Sequence, residues 1–354
     1  MRPLVFALAL FLTACTVSGD PGSGDPGSDD PASAGDAPAG PVVVDSVATE
    51  DATVRVRRVA DDLEHPWAVA WLPDGRALIT ERPGTLLLMD ETSRTEIGNV
   101  PSVWSNGQGG LLDVRLHPHY ENTGWIYLSY SVEGEKDDYA ATRVARAKLD
   151  GPRLTDVETL YTQFPFEKSG VHFDGEIPRD NPFVGRDDIP DEVFAYGHRN
   201  QQGMAIHPET GDIWQHEHGP HGGDEFNLVQ AGKNYGWPAV TYGDEYSDQS
   251  PIGGIEAPGM TQPVTYWDPS PALSGMAFYT GDRISAWNGD LFLGALAHQK
   301  LLRLEMNDRE VVHQEELLRD EIGRIRDVAM GPDGYLYFLT DEKQGGLYRI
   351  EPAG

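Results

Sequence analysis

From Val54 onward the apolar residues fall into short runs separated by turn residues, and the pattern recurs. Residues 68–72 run into Pro73-Asp74-Gly75, followed by residues 77–80, Gly84 and residues 86–89. Residues 111–116 run into His117-Pro118, followed by Gly124 and residues 125–128. The same order returns at residues 204–214, 275–304 and 326–350. Each unit reads as a strand, a Pro/Gly turn, a second strand, a Gly break and often a third strand. Pro presets the backbone angle of such a turn, and Gly accepts the positive one. Few stretches carry the 3.6-residue period of an amphipathic helix. Units spaced by roughly 40 to 50 residues predict four-stranded blades of a β-propeller. A parallel β-helix also repeats, but at a much shorter period. Five units are visible, and the span from 111 to 203 leaves room for another. The expected fold is therefore an all-β, six-bladed β-propeller. Residues 53–59 are expected to complete the last blade and close the ring, leaving no free sheet edge.

Composition sets the ends and the surroundings. The 354 residues carry 57 acidic against 27 basic side chains, a formal charge of −30. Phosphate binding needs a basic face, so this balance argues against a nucleic-acid partner. Cys15 is the single cysteine, which rules out a disulfide within the chain. Arg2, the apolar run 4–12 and then Leu12-Thr13-Ala14-Cys15 form the pattern of a bacterial lipoprotein signal. The run is too short to span a bilayer as a mature helix. Residues 1–14 are expected to be removed and Cys15 to carry lipid, its only membrane contact. An ordinary signal peptide with an incidental cysteine is the alternative. Both imply export, to the periplasm or the outer face of the cell membrane. From Thr16 to Thr53 there is no aromatic residue, Lys or Arg, and Gly, Pro, Ser, Asp and Ala dominate. Residues 15–53 are expected to form a disordered acidic tether, leaving 54–354 as the propeller domain.

Candidate chemistry concentrates in loops, where the blades of a propeller converge on the channel. Gly107-Gln108-Gly109-Gly110 precedes a strand and places an amide, Gln108, near its start. Arg199 offers a planar donor fork for a carboxylate, and the neighbouring Asn200 both donates and accepts. Arg324 and Arg326 sit two residues apart at a strand start, so alternation puts both side chains on one face. Three arginines at blade starts in so acidic a chain suggest an anionic ligand. The run His216-Glu217-His218-Gly219-Pro220-His221-Gly222-Gly223-Asp224-Glu225 leaves three readings open. Zinc would use His216, His218 and His221. Calcium would use carbonyls and carboxylates of the Gly-rich turn. The third reading is a solvated polar loop.

Taken together, GHRNQQG, HEHGPHGGDEFNL, KNYGW, SGMAFY and GRIRDVAMGPDGYLYFLTDE resemble the soluble pyrroloquinoline quinone (PQQ)-dependent aldose sugar dehydrogenases. These form the glucose/sorbosone dehydrogenase family of six-bladed propellers. The resemblance covers about residues 54–350. It implies PQQ in the channel with Ca2+ bound to it, which raises calcium above zinc. Position by position, Gln108, Arg199, Asn200, Arg324 and Arg326 match polar residues around the quinone and its carboxylates. The carbonyls of Gly219 and Pro220 match calcium ligands, and Asp224 matches a nearby acidic residue. Trp267 falls near an aromatic, substrate-side segment. His172 matches the family's base. The implied reaction oxidises an aldose at its anomeric carbon to the lactone, with hydride passing to the quinone. The electron acceptor is unknown.

Two departures qualify the resemblance. In the family, a strand, a turn and another strand separate the match to His172-Phe173 from the match to Asp174-Gly175-Glu176. Here Phe173 meets Asp174 directly, so one blade is expected to be truncated near residues 141–190. The carboxylate that orients the base histidine belongs to that stretch. Some members also carry a cofactor-contacting lysine where Ala297 stands; Lys300 lies three residues on, and His298 is an alternative contact. These departures keep two rival readings open: a Ca2+-dependent propeller lactonase, and a non-catalytic binding propeller.

Overall fold

The computed structural model describes residues 40–90, 93–134, 139–163, 181–189, 191 and 193–353. The described chain opens with β1 (Val42–Ala48) and β2 (Thr53–Leu63), paired antiparallel. Blade 1 holds β3 (Pro66–Trp71), β4 (Ala77–Glu81), β5 (Thr85–Met89) and β6 (Arg94–Glu96). Blade 2 holds β7 (Leu111–Leu116), β8 (Trp125–Glu133), β9 (Ala140–Asp150) and β10 (Arg153–Thr162). Blade 3 holds β11 (Gln201–Ile206), β12 (Ile213–Glu217), β13 (Asp224–Val229) and β14 (Thr265–Trp267). Blade 4 holds β15 (Leu273–Phe278), β16 (Leu291–Ala295), β17 (Lys300–Asn307) and β18 (Glu310–Leu317). Blade 5 runs β19 (Ile325–Met330), β20 (Leu336–Thr340) and β21 (Gly345–Pro352), then β2 and β1 from the start of the chain.

The fold is an all-β propeller, and the described residues form five blades, where six were expected. The five units visible in the apolar pattern are these five sheets. The span allotted to a sixth is consumed differently. The strands β8, β9 and β10 are nine to eleven residues long, so one blade occupies much of it. Residues 141–162, expected in a truncated blade, belong to the complete blade 2. No strand is described between residues 163 and 200.

The tether is shorter than composition suggested. Val42, Val43, Val44 and Val47 end the Gly/Pro/Asp-rich stretch, and β-branched side chains favour a pleated surface. They make β1 the outer strand of blade 5. Val44 and Val47 pack on the apolar cluster between blades 4 and 5. The link to β2 is clasped by blade 4: Glu50 N–H donates to Glu315 Oε1 (2.8 Å), and Arg303 Nη2 donates to Asp51 Oδ2 (2.5 Å). Pairing of β2 with β21 closes blade 5 with both chain ends, as expected.

Apolar side chains fill the contacts between neighbouring blades. One cluster joins blades 1 and 2, a second blades 5 and 1, a third blades 4 and 5, and a fourth blades 3 and 4. No described cluster joins blades 2 and 3. The first strands of all five blades line one channel cavity of about 470 Å3, including Ala70, Leu116, Ala205, Ala277 and Ala329.

Candidate functional site

The starts of the innermost strands carry most of the predicted site residues. Arg326, on β19, is buried at 7% exposure. Its Nη2 donates to Asp341 Oδ2 at 2.7 Å, and its guanidinium lies 4.1 Å from the Trp67 ring centroid. Arg324 is half open. Its Nη2 lies 3.9 Å from the same carboxylate oxygen, and its Nη1 donates to Leu296 O at 3.4 Å. On the other side of Asp341, Oδ1 meets His65 Nδ1 at 3.0 Å. One carboxylate therefore serves two arginines and a histidine. Nearby arginines hold Asp341 below its usual range against the desolvation that raises it. Arg82 is close enough for its charge to act on both Arg326 and Asp341. Burial foremost, with the charges of Arg324 and Arg82, pulls Arg326 below the usual arginine value. The Arg326 Nε–H is buried and has no acceptor among the described residues. A buried donor without a partner costs about 1–3 kcal/mol.

Blade 3 supplies the second part. Arg199 precedes β11, and its Nη1 donates to the carbonyls of His218 (2.9 Å) and Gly219 (2.8 Å). Its guanidinium also stands 5.3 Å from the Trp237 ring centroid. Asn200 accepts from Gln202 Nε2 at 2.9 Å, and its carbonyl accepts the His218 N–H at 2.9 Å. Gly219 is packed so tightly that a Cβ there would come within 2.1 Å of the Gly222 carbonyl oxygen. Asp224 is fully buried and braces the turn: Oδ1 accepts from Gly219 N–H (3.2 Å) and Oδ2 from Leu273 N–H (3.1 Å). It thus holds the Gly219-Pro220 turn in place through backbone bonds. His218 connects the two parts. Its Nε2 meets Leu273 O at 2.5 Å, and the charges of both Arg326 and Arg199 reach it.

Beneath Arg199 lies a carboxylate that the sequence reading missed. Glu217 accepts from the Arg199 N–H, from Asn227 Nδ2 at 3.3 Å, and contacts His198 Nδ1 at 2.8 Å. His198 stacks on Tyr235 with centroids 4.4 Å apart. Glu225 sits directly across from Glu217 in the β12–β13 register. Burial, with the Glu217 charge, pushes the Glu225 carboxyl up to about 8. Alternation along β12 was the available signal: Trp214 and His216 face one side of blade 3, and Gln215 and Glu217 the other.

The zinc reading is not realised. His216 is fully buried beside Gly203, and burial pushes its imidazole down to about 3. His218 is spent on Leu273 O, and His221 lies in a backbone bridge with Asp244. Among the described residues, the grouping of metal-ligating side chains is Glu50, Glu305 and His313, elsewhere on blade 4 and the β1–β2 link. Backbone oxygens, the hard donors a calcium ion favours, line the 218–223 turn, where those of His218 and Gly219 accept from Arg199.

Trp267, Lys300 and His298 stand apart. Trp267 Nε1 donates to Gln314 Oε1 at 2.7 Å, so the indole is spent on the outer strand of blade 4 and not on a substrate wall. Lys300 Nζ pairs with Glu316 Oε1 at 2.5 Å, and His298 is exposed. Gln108 is exposed on the turn leading to β7. His172 and Cys15 lie outside the described residues.

Comparison with known proteins follows this geometry. A sequence model of the Glucose / Sorbosone dehydrogenase family matches residues 63–173 and 171–349. Aldose sugar dehydrogenase YliI of Escherichia coli (strain K12) is 41% identical over 349 aligned positions, covering 85% of this chain and 94% of that protein. Quinoprotein glucose dehydrogenase B of Acinetobacter calcoaceticus is 25% identical, over 80% of this chain and 84% of its own. The crystal structure of the soluble aldose sugar dehydrogenase from Escherichia coli in the apo-form superposes with a TM-score of 0.80 at 40% identity, covering 84% of this chain and 99% of that one. The family match is in two pieces that meet at residues 171–173. The alignment to YliI takes in 85% of 354 residues, roughly 301, within its 349 positions, so it has about 48 positions where this chain has no residue.

Proposed function

The chain belongs to the glucose/sorbosone dehydrogenase family, and on that premise we propose that it oxidises an aldose at its anomeric carbon to the lactone, with PQQ as cofactor and Ca2+ beside it. The observation that carries this reading is the wall around Asp341. Arg324 and Arg326 share one carboxylate, and the buried Arg326 Nε–H lacks an acceptor. In a chain of charge −30 such a local excess of guanidinium fits a multiply charged anion, and PQQ carries several carboxylates.

Arg324 and Arg326 would hold those carboxylates, with Asn200, Gln108 and Arg199 completing the polar contacts. The Gly219 and Pro220 carbonyls would hold Ca2+, and Asp224 would keep their turn in place. When bound, the quinone supplies the hydride acceptor and Ca2+ the Lewis acidity beside it. The chain's own part is position and charge. The stack of Arg326 on Trp67 and the Asp341 pair fix the guanidinium that faces negative charge as it accumulates. His172 is assigned the hydroxyl proton of the sugar. Export, lipid on Cys15 and a tether that ends before β1 complete the reading.

The test is reconstitution with PQQ and Ca2+, followed by dye reduction with several aldoses. Sugar-dependent reduction is expected. Absence of reduction, together with no quinone absorbance retained after desalting, overturns the proposal. A second reading, binding without turnover, is favoured by one observation: the family match is in two pieces that meet beside His172. Quinone retained with no sugar oxidation would select it.

A further inference from the structure

Arg82 follows β4, and its backbone is pinned on two sides. Its N–H donates to the His65 carbonyl at 3.0 Å, and its carbonyl accepts the Leu111 N–H at 3.0 Å. Gly110 presses against it: a Cβ there would lie 2.0 Å from the Arg82 carbonyl oxygen and 2.6 Å from its Cγ. Arg82 thus sits between His65, which pairs with Asp341, and the turn that carries Gln108. Its side chain is half-buried, yet among the described residues it has no hydrogen bond or ion pair. Even exposed arginines find carboxylates in this acidic chain, as Arg76, Arg115, Arg186 and Arg309 do. The nearby carboxylate, Asp341, is already shared by Arg326 and His65.

We propose that Arg82 is a further carboxylate-binding residue of this site, supplied by blade 1 beside the Arg326 wall. Three guanidinium groups around one carboxylate repel one another in the free protein. Binding an anion converts that repulsion into attraction without rearrangement, which is the energetic sense of a preorganised site. The carboxylate belongs either to the quinone or to a sugar acid seated against it. The inference rests on the anion-binding reading above, and its test is arranged to fail separately from it.

The experiment compares the parent with Arg82→Gln and with Arg153→Gln, a control at an arginine of blade 2 whose side chain is exposed. PQQ is titrated in the presence of Ca2+ and followed by tryptophan fluorescence; citrate, a simple tricarboxylate, is followed by its shift of the unfolding temperature. Loss of one charge-assisted contact predicts at least about 10-fold weaker PQQ binding in R82Q, a smaller citrate shift, and no change in R153Q. Unchanged PQQ binding with about 10-fold weaker binding of glucuronate to the quinone-loaded protein would place the carboxylate on the substrate and still support the assignment. Should the parent bind citrate but no PQQ, the cofactor reading falls while Arg82 is still judged by the citrate shift. R82Q matching the parent toward PQQ, glucuronate and citrate overturns the inference. So does an R82Q that unfolds earlier without ligand while binding normally, since that marks a structural role.

Discussion

The contact between blades 5 and 1 and the seam between blades 2 and 3 are built on opposite principles. In the first, Leu63, Val69, Ile79, Leu339 and Leu347 exclude water, and the Arg326–Asp341–His65 set crowns the end of that packing. In the second, no described apolar cluster bridges the sheets. The face of blade 3 turned away from blade 4 buries Gln215, Glu217, Glu225 and Asn227, and leaves Met204 and Ile206 exposed at 44% and 66%. Gln215 Nε2 and Asn227 Oδ1 are buried there without partners among the described residues. The two pieces of the family match meet at residues 171–173, in the chain segment between these two blades. The difference teaches which of the described blade faces are closed by apolar packing and which bury polar groups. The Arg324–Arg326 wall rests on complete packing, whereas the Arg199 and Gly219 side stands on the blade that borders the seam.

Substitutions on the two sides should separate accordingly. Phe338 is fully buried in the cluster between blades 4 and 5. Phe338→Ala is expected to cost about 3–5 kcal/mol through lost transfer energy and a cavity, measured by denaturant unfolding. A cost below about 1 kcal/mol would mean the apolar contacts between blades are no better packed than the seam.

Glu225 gives a test by pH. Its folded carboxyl titrates at about 8, raised from an ordinary carboxylate value, so the fold favours its protonated form. The stability from this group is fully present below about pH 4.5 and is lost as pH rises through 8. Glu225→Gln should flatten the fall in stability between pH 5 and pH 9, by on the order of 2 kcal/mol, in unfolding curves taken across that range. An unchanged slope would show that the Glu217–Glu225 pair is not strained. The smallest effect is predicted at Ile206→Ala, within about 0.5 kcal/mol because the side chain is already in water. A cost as large as that of Phe338→Ala would reveal a partner covering the seam.

Much of the fold was legible because five apolar runs with Pro/Gly turns map onto five sheets. The sixth blade was a matter of spacing alone: long strands in blade 2 take that span up to Thr162, and residues 164–180 lie outside the described residues. β1 was hidden because Gly, Pro and Asp around it dominate the composition, while Val42, Val44 and Val47 do the packing. In the site, two-residue alternation placed Arg324 and Arg326 together, and the structure brings both to Asp341. The partners were not legible. His65 with Trp67, Arg82 and Asp341 come from three other segments: pairing of β20 sets Asp341 beside β19, and only the ring closure brings the others there. Trp267 and Lys300 show the converse: each has a chemistry-bearing side chain, and each spends it on blade 4.

The most direct test of the account is retention of quinone by the parent protein and by Arg326→Gln. Each is incubated with PQQ and Ca2+, desalted, and read by quinone absorbance, with circular dichroism confirming the fold. The account predicts near one equivalent on the parent and loss of at least about 90% of it in R326Q, as expected for removing a buried charge-assisted contact. Equal retention by both proteins would contradict it, because the wall around Asp341 would then not be where the anion is held.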